Sequence, residues 1–141
     1  QDGDLLPVSA FKGSLDRRFY ERHYTKVDPK HFEPIVDGMW RGVNVGGTST
    51  AARLEGLDVC GKTGTAENPR GRDHSTFLSF APKDNPKIAI SVYVENGGFG
   101  ASAALPIASL LEEYYLTDTI RRPALLEHIK NMNIYYPSYD R

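Results

Sequence analysis

The sequence holds a single cysteine, one tryptophan and two methionines in 141 residues. One cysteine excludes an internal disulfide and a cysteine-based metal cluster, and it leaves the redox compartment open. A surplus of charge is also missing: 17 Lys and Arg stand against 18 Asp and Glu, for a formal net charge of −1. The basic residues are scattered rather than striped, which argues against nucleic acid or an acidic membrane surface as a partner. Long apolar runs are absent too. The longest, Ile88 to Val94, is seven residues, far short of the roughly 20 that cross a bilayer as a helix. No signal-peptide pattern opens the chain, which begins at Gln1 rather than Met. What is present, 40% hydrophobic and 25% charged residues, suffices for one ordinary core, so one domain or part of one is expected.

Residues 1–27 read as an irregular lead-in with a short strand near Leu5 to Phe11. Helical spacing begins at Asp28, a capping residue followed by Pro29 at the first helical position. Phe32, Ile35, Val36, Met39, Trp40 and Val43 then recur every three or four residues, a stripe that means core packing, with Met39 and Trp40 as scaffold. Gly42 and Gly46-Gly47-Thr48 end this helix, and a short helix near Ser49 to Leu54 follows. Three strand-like segments come next, about 58–66, 75–81 and 87–95, joined by Asn68-Pro69-Arg70-Gly71 and Pro82-Lys83-Asp84-Asn85-Pro86. Connections this short make antiparallel neighbours. Ile88, Ile90, Val92 and Val94 face inward, and the mild opposite face suggests helices on both sides. A helix over 101–116 packs through Leu105, Ala108, Leu110, Leu111 and Tyr114. Residues 117–141 read as a helix from Pro123 to Lys130 and a tyrosine-rich tail, Tyr135-Tyr136-Pro137-Ser138-Tyr139. The fold class is therefore α+β: an antiparallel sheet of three consecutive strands flanked by helices.

The chemistry concentrates in Val59-Cys60-Gly61-Lys62-Thr63-Gly64-Thr65-Ala66, where a buried-looking cation and two hydroxyls sit beside glycines in an extended segment. Such an edge can hold an anionic group and pair with an extended peptide. Two motifs fit the letters. Gly56 to Thr63 spells G-x-x-x-x-G-K-[ST], the phosphate loop of nucleotide hydrolases, which must open a helix after its lysine. Gly64, Pro69 and Gly71 make a helix there costly. The alternative is K-T-G, a signature of penicillin-interacting serine enzymes. A longer series supports it: Gly46-Gly47-Thr48, Gly61 to Ala66, His74, Phe77 to Pro82, Asn85 to Ala89, Val94 to Gly98, and Ala104 to Ala108. In that order these residues resemble the C-terminal part of the transpeptidase domain of elongation-type class B penicillin-binding proteins, over about residues 28 to 116.

The resemblance implies that Lys62 supplies positive charge and a hydrogen bond to a catalytic serine network. Thr63 and Thr65 would receive the carboxylate of a stem-peptide D-alanine or of a β-lactam. The Thr65 backbone N–H would be one of two oxyanion-hole donors, and Gly64 would keep the cleft open. It also implies a membrane-anchored parent on the periplasmic face of a bacterial inner membrane, acting on peptidoglycan stem peptides without metal or organic cofactor. The family's nucleophilic serine with its lysine, its S-x-N element and two further sheet strands have no credible counterpart. No S-x-N occurs, and although Ser9-Ala10-Phe11-Lys12 spells S-x-x-K, Pro7 and Gly13 oppose the helix that would align the pair. The expectation is a C-terminal portion of a D,D-transpeptidase, inert alone because an oxyanion hole without a nucleophile cannot acylate. A non-catalytic penicillin-binding-like scaffold and a nucleotide binder are the other readings. His74 and Cys60 read as structural, while Asp73 and Glu95 lack the paired carboxylate that glycosidase or metal chemistry needs. Sheet edges exposed where the missing strands belong predict self-association.

Overall fold

A computed structural model describes residues 24–134. Ser9 with its S-x-x-K spelling, the expected strand at Leu5 to Phe11 and the tyrosine tail lie outside these residues.

The first helical region forms in two steps. The Asp28 side chain caps a single 3₁₀ turn, Pro29–His31, by accepting from the Lys30 amide. Helix α1 then runs Glu33–Asn44 with Pro34 in its first turn. Pro34 has no N–H, so an α-helix continuous from residue 29 would lack one of its early hydrogen bonds; this is why α1 starts five residues later than its cap signal. The helix stops at Val45, ahead of Gly46 at φ +92°. Its apolar stripe is only partly interior. Val43 is fully buried, but Ile35 is 59% exposed and Phe32 is also exposed, because only the C-terminal half of α1 lies against the sheet. Trp40 is scaffold as expected. Its indole N–H donates to the Asp58 carboxylate at 2.8 Å, and the Lys83 ammonium stands 5.1 Å from the ring centroid. Asp37 accepts from both Arg41 and Lys83, tying α1 to the second hairpin.

Strands β1 (Cys60–Ala66), β2 (His74–Ala81) and β3 (Ile88–Val94) form one antiparallel sheet in the order β1-β2-β3. The register places Lys62 opposite Leu78 and Phe77 between Thr63 and Val92. Helix α2 (Ala104–Thr117) packs on β2 and β3, and α3 (Pro123–Lys130) packs on α2. Instead of a helix at residues 49–54 there is one 3₁₀ turn, Thr50–Ala52. The core lies on one face: Val43, Ala52, Leu54, Val59, Phe77, Ala81, Ala104, Leu105 and Ala108. A covering layer on the other face is absent among the described residues, where Leu78 and Tyr93 remain 53% and 56% exposed.

Helix α2 also departs from its expected packing face. Leu105, Ala108 and Leu110 are buried, but Leu111 and Tyr114 are exposed, and Ser109, Glu112 and Glu113 take their place inside. Ser109 and Glu113 are held inside by Arg122, which reaches back from the α2–α3 connection. Its guanidinium donates to Glu113 at 3.3 Å, to the Ser109 hydroxyl at 2.8 Å and carbonyl at 3.0 Å, and to Ala51 O at 3.3 Å. These partners offset the cost of burying the Glu113 carboxylate.

Candidate functional site

Strand β1 is an edge of the sheet among the described residues, paired on one side by β2 alone. It runs through Lys62, Thr63, Gly64 and Thr65 and ends at Ala66, and no helix follows before His74. A phosphate loop needs Lys62 at the mouth of a helix. Here the lysine stands mid-strand, so the nucleotide-binding reading fails.

Lys62 itself is exposed rather than buried. Strand alternation puts it on the open face beside Leu78, and its ammonium folds onto the Thr63 carbonyl. Thr63 and Thr65 take the opposite face with Phe77 and Ser75. Ammonium and hydroxyls can therefore converge only along the unpaired margin of β1, where a ligand would lie parallel to the strand.

The two threonine hydroxyls are each held by a loop. Thr63 Oγ1 lies 3.0 Å from Thr48 Oγ1, and Thr65 Oγ1 accepts from the Gly100 amide at 3.4 Å. Thr48 reaches this place through backbone packing. A Cβ on Gly47 would stand 2.5 Å from the Gly42 Cα, and Gly42 in turn lies against the Gly61 carbonyl. The loop is thus pressed onto α1, and α1 onto β1, with no side chains between. Sequence reasoning used Gly46-Gly47-Thr48 only as part of a pattern. The signal was the glycine at 42, inside an otherwise helical run, which marks a close approach.

Gly64 is closely packed against β2. A Cβ there would meet Thr76 Oγ1 at 2.3 Å, and Gly100 is packed so tightly on the inner face that its own Cβ would stand 2.5 Å from the Gly64 carbonyl. A side chain at position 64 would thus have to displace the Thr76 hydroxyl, and one at position 100 would strike the backbone of β1. The residue that anchors this loop is Ser75, which is fully buried. Its hydroxyl accepts from the Ala104 amide at 2.9 Å and donates toward the carbonyls of Phe99 and Gly100. Ser75 therefore supplies from β2 the N-terminal cap that α2 lacks in its own sequence.

The remaining candidates are structural. His74 accepts the Asn96 amide at Nδ1, 3.0 Å, and its ring lies 5.4 Å from that of Tyr93. Burial pushes the Cys60 thiol up to about 11, so it is a core residue and no nucleophile. Asp73 accepts from the Asn68 amide, within a turn that Asn68 also links to Asn96. Among the described residues no group of His, Cys, Asp and Glu is placed to hold a metal ion, and no helix is long and apolar enough to cross a membrane.

Comparison with known proteins agrees with this geometry. The sequence model described as "Penicillin binding protein transpeptidase domain" matches residues 1–111. The peptidoglycan D,D-transpeptidase MrdA of Haemophilus influenzae is 36% identical over 106 residues, covering 63% of this chain and 16% of that protein. The peptidoglycan D,D-transpeptidase PbpA of Mycobacterium tuberculosis is 38% identical over 119 residues, covering 78% of this chain and 22% of the relative. The chain thus spans less than a quarter of the length of either. Among solved structures, penicillin-binding protein A from M. tuberculosis in its imipenem acyl-enzyme complex superposes with a TM-score of 0.59 at 30% identity, covering 69% of this chain and 22% of that one.

An α+β sheet with its K-T-G strand along an open margin defines the class of penicillin-interacting serine enzymes, here as a partial fold. Within that class, the chain belongs to the penicillin-binding protein transpeptidase domain family.

Proposed function

We propose that this chain is the K-T-G wall of a peptidoglycan D,D-transpeptidase whose nucleophile lies elsewhere in a longer protein. The observation that carries the proposal is the mid-strand position of Lys62-Thr63-Gly64 on a strand that is a sheet edge among the described residues. In acyl transfer a serine oxygen attacks the D-Ala-D-Ala carbonyl, D-alanine leaves, and an amine of a neighbouring strand takes the acyl group. Along the margin of β1 the chain supplies three things to that sequence. Lys62 contributes positive charge beside the serine network, the Thr63 and Thr65 hydroxyls receive the terminal carboxylate, and the Thr65 N–H donates to the developing oxyanion. Thr48 and Gly100 pre-orient the two hydroxyls, which lowers the reorganisation needed when the carboxylate arrives. The β-lactam carboxylate would use the same two hydroxyls. This assignment puts the parent on the periplasmic face of the inner membrane, where its substrate is.

The proposal separates the chain from its parent. In the 141-residue chain, incubation with a labelled penicillin leaves the intact mass unchanged. In the longer protein the same treatment gives one covalent adduct, and Thr63→Ala slows its formation about 100-fold without changing the melting temperature. An adduct on Ser9 of the short chain would overturn the assignment, as would an acylation rate in the parent that ignores Thr63.

A further inference from the structure

Thr65 stands between two loops. Its strand runs on through Ala66 into the turn at residues 67–73, and from the other side the Gly100 amide donates to its hydroxyl at 3.4 Å. The two loops meet at Asn96, a polar residue only 6% exposed. Asn96 takes the left-handed conformation, φ +57°, which asparagine tolerates better than most side chains. Its amide donates to His74 Nδ1 at 3.0 Å, and the Gly98 amide donates to the Asp73 carbonyl at 2.8 Å. The buried carboxamide oxygen then needs a donor, because leaving it unpaired is costly. Asn68 supplies one. Its Oδ1 accepts from the Arg70 amide at 3.0 Å, so its Nδ2 faces the other way and donates to Asn96 Oδ1 at 3.0 Å and to the Arg72 carbonyl at 3.2 Å. Gly71 leaves the room for this bridge, since a Cβ there would stand 3.0 Å from Asn96 Oδ1.

We propose that Asn96 is a positioning residue for Thr65, a role that depends on Thr65 receiving the substrate carboxylate and oxyanion as assigned above. The contacts close a circuit. From Thr65 the chain runs to Asn68, crosses the carboxamide bridge to Asn96, continues to Gly100 and returns through the Gly100 amide to the Thr65 hydroxyl. Ser75 secures the Gly100 side of that contact, by donating to the Phe99 and Gly100 carbonyls. Asn96 secures the Thr65 side, by holding the turn into which β1 runs. Thr65 is exposed and next to the end of its strand, where ladders open most readily. A hydroxyl already 3.4 Å from its donor loses the bond with a small further shift. Without the bridge, the 67–73 turn moves independently of the loop that carries Gly100, and the hydroxyl is no longer held ready for a ligand.

Acylation of the longer protein by a labelled penicillin tests the coupling. Asn96→Gly keeps a residue suited to positive φ but removes the bridge, and it slows acylation about tenfold. Asn96→Asp keeps an acceptor for Asn68 and stays within about threefold of the original. Thr65→Val deletes the hydroxyl that the bridge positions and slows acylation by itself. Adding Asn96→Gly to Thr65→Val then changes the rate less than about twofold, where independent effects would multiply. In the 141-residue chain, Asn96→Gly speeds hydrogen exchange at the Gly100 amide about tenfold and leaves the Phe77 amide of β2 unchanged, and Asn96→Asp restores the original exchange. Asn68→Ala breaks the bridge from its other end and gives the same rate and exchange results, so a failure of Asn96→Gly to fold does not remove the test. Multiplying effects of Asn96→Gly and Thr65→Val, or an equal loss in Asn96→Asp, would overturn the proposal, as would exchange at Gly100 that ignores the loss of the bridge. Full-rate acylation of Thr65→Val would instead remove the assigned role of Thr65, and this proposal with it, whatever the exchange at Gly100.

Discussion

Among single residues Glu112 is the most exposed to test, because it is the least supported. Its side chain is fully buried on α2, and neither carboxylate oxygen reaches a hydrogen-bond partner among the described residues. Burial pushes the carboxyl up to about 7, with the nearby Ser79 hydroxyl and Arg122 pulling the other way. A carboxyl whose folded pKa lies above its ordinary value of 4.5 favours folding most when protonated. Its contribution falls as pH rises from about 4.5 through 7 and is flat above that, a change of about 3 kcal/mol. Wild-type protein should melt at a lower temperature at pH 8 than at pH 5, and Glu112→Gln should remove most of that difference and be the more stable form at pH 8. Parallel melting profiles for the two proteins would reject the argument. Nothing local in the chain marks this residue. Glu112-Glu113 looks like solvated helix surface until the fold turns both inward, and only Glu113 then finds an arginine.

At the level of elements, the β strands were legible because β-branched alternation and turn residues agree. The predicted segments at 58–66, 75–81 and 87–95 fall within two residues of β1, β2 and β3. The helix faces were less so. Periodicity says that a stripe exists but not how much of it another element covers, which is why Ile35, Leu111 and Tyr114 are outside. The start of α2 depended on a partner far along the chain. With no capping side chain at Ala103, the helix end is held by Ser75 from β2, and the same hydroxyl secures the loop that carries Gly100 to Thr65. Ser75→Ala should therefore cost about 1–3 kcal/mol in urea denaturation. It should also speed hydrogen exchange at the Ala104 amide well before global unfolding. Unchanged exchange at that amide would show that the cap is not what holds the helix start.

Over the whole molecule, the two C-terminal helices are tied to the 3₁₀ turn at Thr50–Ala52 by Arg122. Its contacts reach Ala51, Ser109 and Glu113, so it joins the 3₁₀ turn, α2 and the start of α3 in one network. Removing the cation strands a nearly buried carboxylate. Arg122→Ala should cost about 3–5 kcal/mol, read as a drop in the denaturation midpoint. Arg122→Ala combined with Glu113→Gln should recover a good part of that loss; a double variant no more stable than the single one would assign the loss to packing instead. The sequence by itself determined the α+β class, the three-strand order and the extended setting of Lys62, since alternation, turn chemistry and the glycines after the lysine are all local. Only the tertiary structure decided that Lys62 and the two threonines stand on opposite faces of one margin, that Thr48, Gly100 and Ser75 hold that margin in shape, and that one face of the sheet is left uncovered by the described residues. Those outcomes depend on contacts between residues far apart in the chain, and no window of sequence contains both partners.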